Sequence, residues 1–307
     1  MIIKPSYPSD KPCMKYIVNG GCLLTVITPC RNSQATIQST LESVLAVQQE
    51  LYKLGFSMEY IVIDGLSSDR TLELVNGYQG LIHDLKVFVQ PPRGIYSAMN
   101  HGLECDPAGH FTHILNSDDL VLDPAAYARV LADCKKKCIS VILSSIVYFD
   151  RKSSQPKYIW KCNLVKNFND FKANLKRGHH FPHPGFIALT DIYAKKKFDA
   201  KYHYSADYKL MQSILLDLVD PKSVAIFDVV LVAMGMGGAT SSIISMLKGM
   251  REIHKINREL RIKGFACNRY ISKFIQRCAI YSKHRDLISL KYPLIMALRA
   301  PSCRVNR

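Results

Sequence analysis

The sequence lacks any apolar run long enough to cross a bilayer. The longest, Ile139–Phe149 and Val224–Met236, are too short or too interrupted, because a spanning helix needs about 20 apolar residues. The segment up to Tyr16 carries charges and prolines and no apolar stretch of the secretory kind. The expectation is a cytoplasmic protein, at most peripheral on the cytoplasmic face of the inner membrane. Cysteine is present ten times, but the closest pair, Cys134 and Cys138, has no second pair at metal-ligand spacing. That argues against a structural zinc module and against a disulfide framework. No GxxxxGK[ST] occurs, and no GxGxxG follows the first apolar run. A P-loop kinase and a dinucleotide dehydrogenase are therefore disfavoured. Internal repeats and low-complexity segments are also missing.

Acidic residues are scarce at one end. From Ser241 onward there are fifteen Lys/Arg and three acids, so +12 of the formal +16 lies in the last 67 residues and +4 in the first 240. A basic tail behind a nearly balanced domain calls for an anionic partner. Acidic lipid and phosphorylated substrates fit. Nucleic acid is not expected, because the basic residues are not interleaved with a recognised nucleic-acid module. Tyr270, Ile271, Phe274, Ile275, Cys278 and Ala279 lie at helical spacing, with Lys273 and Arg277 on another face. Such a helix either rests on an anionic membrane surface or docks on the domain with its basic face solvated.

Before the tail the chain alternates between two periods. Leu23–Thr28 and Tyr60–Ile63 are short, β-branched, wholly apolar runs, which predict buried strands. Lys86–Gln90 and Phe111–Leu115 predict two more. Between them, Ile37, Leu41, Val44 and Leu45 fall on one helical face. Ser67 or Ser68 is placed to cap a helix through Leu72 and Val75, and Ile95–Leu103 reads as helical. This alternation predicts an α/β fold with a mostly parallel, Rossmann-like sheet and helices on both faces. After Asp119 the pattern is less regular. Val141–Phe149 and Val224–Val232 read as strands, Arg151–Gly178 as a polar stretch, and Asp207 opens a helix. The expected organisation is an N-terminal extension over 1–21, a catalytic domain over 22–242 and a basic, mostly helical region over 243–307.

Ligands bind such sheets beyond the carboxyl ends of the strands. Asp64 and Asn116-Ser117-Asp118-Asp119 both sit there. Carboxylates at a strand end can hold Mg²⁺ or Mn²⁺ against a departing diphosphate, because these cations take one or two protein carboxylates and leave the rest to phosphate and water. The same Ser-Asp-Asp is also ordinary turn chemistry. Asp64 can accept from a base or ribose, or cap a helix with its neighbouring serines. Arg93-Gly94 offers a charge-assisted fork to a phosphate, with room for close backbone approach. Asn100 more readily braces the loop before it than touches substrate. Asp207 opens a helix, where a carboxylate stays ionised, as a general base must be. His179, His180 and His183 are compactly spaced, but Pro182 and Pro184 hold them in an extended loop; a hydrogen bond from His183 suits the geometry better than a metal. Gly237-Gly238 before Ala239-Thr240-Ser241 reads as a phosphate-binding loop or a plain helix cap.

Four segments occur in a recognisable order: Thr28-Pro29-Cys30-Arg31-Asn32, Tyr60–Gly65 with Ser67–Thr71, Arg93–Gly102, and Leu115–Asp119. Together they resemble family 2 glycosyltransferases of the GT-A fold, closest to the branch of bacterial polysaccharide and glycolipid assembly. The resemblance spans about residues 22–242. It implies inverting transfer of a sugar from a UDP- or GDP-linked nucleotide sugar to a saccharide or polyprenyl-linked acceptor. It assigns Pro29, Asn32, Asp64, Arg93, Asn116, Ser117, Asp118, His183 and Gly238 to the donor. Asp118 and Asp119 are assigned to a Mn²⁺ or Mg²⁺ ion, and Asp207 is the catalytic base. Asn116 stands where the family usually has the first acid of its DxD motif, and Pro184 follows His183 where Gln is usual. Two rival readings are a nucleotidyltransferase, which usually carries a glycine-rich basic loop after the first strand, and a non-catalytic carbohydrate-binding relative. The chain has no such loop at Cys30-Arg31-Asn32, and it retains Asp64, Asp118, Asp119 and Asp207.

Overall fold

A computed structural model describes residues 19–151, 153–162, 167–236 and 243–263. Among them runs a nine-stranded sheet in the order β3-β2-β1-β4-β8-β6-β9-β5, with β7 beside β6. The strands are β1 (Cys22–Cys30), β2 (Ser57–Asp64), β3 (Leu85–Val89), β4 (Phe111–Ile114), β5 (Asp119–Val121), β6 (Val141–Phe149), β7 (Pro156–Trp160), β8 (Phe186–Leu189) and β9 (Val224–Gly235). The helices are α1 (Ile37–Lys53), α2 (Thr71–Asn76), α3 (Ile95–Glu104), α4 (Pro124–Lys136), α5 (Phe168–Lys176), α6 (Thr190–Lys195), α7 (Ala206–Asp217) and α8 (Ile243–Glu259).

The first half is a parallel βα array. β1 pairs in parallel with β2 and β4, and β2 with β3. Alternation along the strands feeds two cores. Tyr60 and Val62 join the layer under α1 and α4, while Ile61 and Ile63 join the layer under α3, α5, α7 and α8. The register sets Cys30 opposite Asp64 and Asp64 opposite Val89, so the three carboxyl ends finish level. The second half mixes directions. β8 runs antiparallel to both β4 and β6, β9 parallel to β6, and β5 antiparallel to β9.

Six elements after Asn116 were not anticipated from the pattern: β5, β7, β8, α4, α5 and α6. α4 has a clear cause in hindsight, since Asp123 accepts from the Ala126 amide at 2.9 Å and Pro124 opens the first turn. α5 emerges from the polar stretch with Asn167 as its cap. Cys134 is buried on α4 and Cys138 is exposed; both are free thiols. α8, the first helix of the basic region, packs on α7 with Ile253 and Ile256 buried in the shared core. The rest of the tail, from Gly264, and residues 1–18 lie outside the described residues, as does Gly238. No described helix is long and apolar enough to cross a membrane.

Candidate active site

One cleft of about 550 Å³ opens beyond the carboxyl ends of β1 and β4. Pro29, Asn32, Asn116, Ser117, Asp118, His183 and Asp207 all line it. Residues 178 positions apart in sequence, Pro29 and Asp207, thus meet around one space.

The β1 side is stitched by short polar contacts between two loops. The Asn32 amide donates to Ser67 Oγ at 2.9 Å, and the Ser68 amide returns a bond to Asn32 Oδ1 at 2.8 Å. Asp64 anchors this pair of loops. Its Oδ2 accepts from the Ser67 amide at 2.8 Å and its Oδ1 from Ser67 Oγ at 2.5 Å. Asp64 is fully buried and is not among the cleft-lining residues. Neither Ser67 nor Ser68 caps the helix: Arg70 stands at the cap position without a side-chain bond, and Asp69 Oδ1 accepts from the Thr71 amide at 2.9 Å in the turn before it. Arg93 is exposed on the loop ahead of Ile95 and also lies off the cleft wall.

Asp118 and Asp119 part company at the start of β5, where successive side chains point to opposite faces. Asp118 reaches the cleft, about a quarter exposed, and pairs with the Arg151 guanidinium. Asp119 is fully buried. Its Oδ2 accepts from Asn116 Nδ2 at 3.1 Å and its Oδ1 from the Gly235 amide at 3.3 Å. Burial pushes its carboxyl up to about 7, against the pull of those hydrogen bonds. In this arrangement Asp119 braces the loop and offers no oxygen to a cation in the cleft. The oxygens that suit a hard cation are the Asp118 carboxylate and Asn116 Oδ1, which is buried without a hydrogen-bond partner. Among the described residues no three His, Cys, Asp or Glu side chains are grouped so that they could hold a metal ion by themselves. A cation held here would therefore draw its other ligands from phosphate and water, which fits Mg²⁺ or Mn²⁺ chemistry.

Asp207 sits in the first turn of α7. Tyr96 OH donates to its Oδ1 at 3.0 Å. Burial, and then the Asp207 charge, raise the Tyr96 pKa, so the phenol remains a donor. Tyr96 and Asn100 share one face of α3. Tyr96 stacks on Phe198, and Asn100 clamps the Phe198 backbone with bonds of 2.8 and 2.9 Å. Asn100 thus braces, though it holds the 198 loop and not the loop before α3. Gly102 lets α3 lie close on β1: a Cβ there would stand 2.3 Å from Ile27 Cγ2.

His183 is half-buried beside Phe198, and desolvation lowers its pKa. Behind it, His113 is fully buried between Tyr127 OH at 2.8 Å and the Pro184 carbonyl at 3.0 Å. A carbonyl only accepts, so His113 carries its proton on Nε2 and accepts from Tyr127 at Nδ1. Among the cleft residues missed from the sequence are Arg151, in the turn after β6, and Trp160, on β7. The Asp150–Pro156 turn composition was the signal available for the first.

The model named Glycosyl transferase family 2 matches residues 25–196. Among solved structures, the chain is similar to S. aureus TarS at 17% identity and TM-score 0.54, covering 75% of this chain and 39% of that one. It is similar to TarS 1–349 in complex with UDP at 17% identity and TM-score 0.54, covering 76% and 65%. It is also similar to the mannosyltransferase PcManGT from Pyrobaculum calidifontis, in complex with GDP-Man and Mn²⁺, at 15% identity and TM-score 0.52, covering 91% and 81%. This chain thus spans less than two thirds of either TarS chain. No curated protein matches the sequence. At these identities the likeness is one of fold, the GT-A fold. The family model covers more than half of the sequence, and the chain belongs to glycosyl transferase family 2.

Proposed function

We propose that the protein moves a sugar, with inversion, from a nucleoside diphosphate to a hydroxyl of a saccharide or lipid-linked acceptor. The observation that carries this reading is the shared cleft of Asp118 and Asp207, with Asp207 held by Tyr96. Asp207 takes the proton of the attacking hydroxyl. Tyr96 occupies one of its carboxylate oxygens and leaves the other to accept. Pro29, Asn32 and Ser117 face the nucleotide, and Asp64 acts on it through the Asn32–Ser68 loop that it anchors. A divalent cation on Asp118, Mn²⁺ or Mg²⁺, would stabilise charge on the departing diphosphate. His183 and the segment at Gly238 are assigned to the donor, and Arg93 to an approach path. The neighbours' UDP and GDP-Man complexes support a nucleotide-sugar donor of either base.

The acceptor side is read from α8. Ile244, Leu247, Lys248 and Arg251 are exposed at i, i+3, i+4, i+7, with Ile244 67% and Leu247 50% accessible, while Ser245 lines the cleft. An apolar and basic strip beside the cleft supports a lipid-linked acceptor at an anionic membrane surface, and the Lys/Arg-rich sequence that follows suits the same partner. The donor is tested by nucleoside diphosphate release from a panel of UDP- and GDP-sugars, with and without EDTA. Release from none of them, with acceptor extracts present, rejects the reading. Co-sedimentation with anionic liposomes, full chain against a truncation at Gly264, tests the tail; equal binding by both removes it as anchor.

A further inference from the structure

Two arginines line the cleft. Arg31 is exposed at its mouth. Arg151 is built in. It projects from the turn between β6 and β7, which is closed by the Asp150 amide on the Gln155 carbonyl at 2.9 Å and by the Ser153 amide on Asp150 Oδ1 at 2.8 Å. Its Nη2 donates to Asp118 Oδ2 and to the Gly235 carbonyl. The end of β9 is shaped to receive it: a Cβ on Gly235 would stand 2.5 Å from Arg151 Nε. Yet Nε itself is buried with no hydrogen-bond partner. The pairing therefore satisfies the charge and leaves the guanidinium fork unfilled. An unmet buried donor is costly, and a phosphate supplies two oxygens in the geometry that Nε and Nη2 present.

We propose that Arg151 is a diphosphate-binding side chain held in reserve on Asp118, which it releases when a cation and the donor's diphosphate enter together. This deepens the nucleotide-sugar reading and rests on it. While empty of donor, the site has Asp118 neutralised by Arg151 and holds divalent cations poorly. Once a diphosphate is present, Arg151 has a better partner, and Asp118 is freed for the cation. Cation and nucleotide binding are then coupled, each strengthening the other.

Trp160 is the single tryptophan and lines the cleft, 4.9 Å from the His180 ring, so its fluorescence reports binding without turnover. Mn²⁺ alone is followed by the electron paramagnetic resonance of the free ion. UDP and GDP at saturating Mn²⁺ are followed by Trp160, with uridine and guanosine as phosphate-free controls. In Arg151→Met, Mn²⁺ alone binds at least ~10-fold more tightly and the diphosphate at least ~10-fold more weakly, the size of one lost charged hydrogen bond. The nucleoside affinity does not change. Arg151→Lys, which keeps the charge, restores weak Mn²⁺ binding and part of the diphosphate affinity. Unchanged diphosphate affinity or unchanged Mn²⁺ affinity in Arg151→Met overturns the proposal. So does a loss in Arg151→Lys as large as in Arg151→Met, which marks a structural role. If the wild-type protein binds neither UDP nor GDP, the proposal falls together with the nucleotide-sugar reading; if it binds one and Arg151→Met binds it equally, only the proposal falls.

Discussion

The two sides of the cleft hold their carboxylates differently. On the side of β1 and β2, Asp64 and Asp69 are satisfied by backbone amides and hydroxyls of the adjoining loops after β1 and β2, several bonds to each acid. Across the cleft, Asp118 and Asp207 each face one side chain brought from far along the chain, Arg151 and Tyr96. A carboxylate wrapped by several loop amides and hydroxyls is part of the scaffold and has nothing to exchange. A carboxylate met by one distant partner can trade that partner for a ligand. On the proposed reading the loops after β1 and β2 form a fixed wall, and it is faced by Asp118, whose one partner can be exchanged, and by Asp207, whose second oxygen Tyr96 leaves free.

The largest expected effect tests that division directly. Asp207→Asn keeps the shape and removes the base, so turnover falls by about 10²–10⁴. Donor affinity, measured by Trp160 fluorescence, stays near wild type. Full activity in this variant would sink the assignment of Asp207.

The second effect concerns the joint between the two sides. His113 ties β4 to the Pro184 backbone and to α4. Burial lowers its pKa to about 4, from 6.5. The folded-state value is depressed, so the stabilisation is complete above the unfolded value and is lost as pH falls from about 6.5 to 4. The loss is on the order of 3 kcal/mol. Urea denaturation at pH 7, 5.5 and 4.5 measures it. His113→Gln, which can still donate and accept, flattens this part of the profile; an identical slope in both proteins removes His113 as its source.

The third separates Asp64 from Asp118. Asp64→Ala strands the Ser67 amide and hydroxyl and costs about 1–3 kcal/mol of stability. Asp118→Ala breaks a partly exposed ion pair and costs about 1 kcal/mol or less, while nucleotide-dependent Mn²⁺ binding is lost. Equal destabilisation by the two would erase the distinction between wall and working residues.

The sequence is legible where this wall is built. β1 and β2 are long, β-branched and buried on both faces, so their ends, and with them Asp64, can be read directly. β4 is shorter, but its apolar run still leads to Asn116 and Asp118. The opposite side resists such reading. β5 has three residues and β8 four, too few for a period to show. That is also why Asp119 looked like a second cation ligand: the pleat that turns it away from Asp118 belongs to a strand too short to recognise. Arg151 lies in a turn, and its importance comes from Asp118 and Gly235, 33 and 84 positions away. Local pattern carries no trace of that meeting.

The smallest expected effect sharpens what holding by one partner means. Tyr96 stands in the segment Arg93–Gly102 that marks the family, yet nothing local assigns it a task. The fold does so by stacking it on Phe198 and aiming its hydroxyl at Asp207. Tyr96→Phe keeps the stacking and removes only the hydroxyl. If Tyr96 merely packs, nothing changes but a slight loss of stability. If it orients Asp207 for proton removal, turnover drops by up to ~10-fold, the worth of one hydrogen bond to a charged group. Donor affinity and melting temperature stay close to wild type. Steady-state kinetics at saturating donor, with acceptor varied, distinguish the two outcomes. An orienting role lowers kcat and leaves the acceptor KM nearly as it was. A change confined to KM would place the Tyr96 hydroxyl on the acceptor and take it off the base.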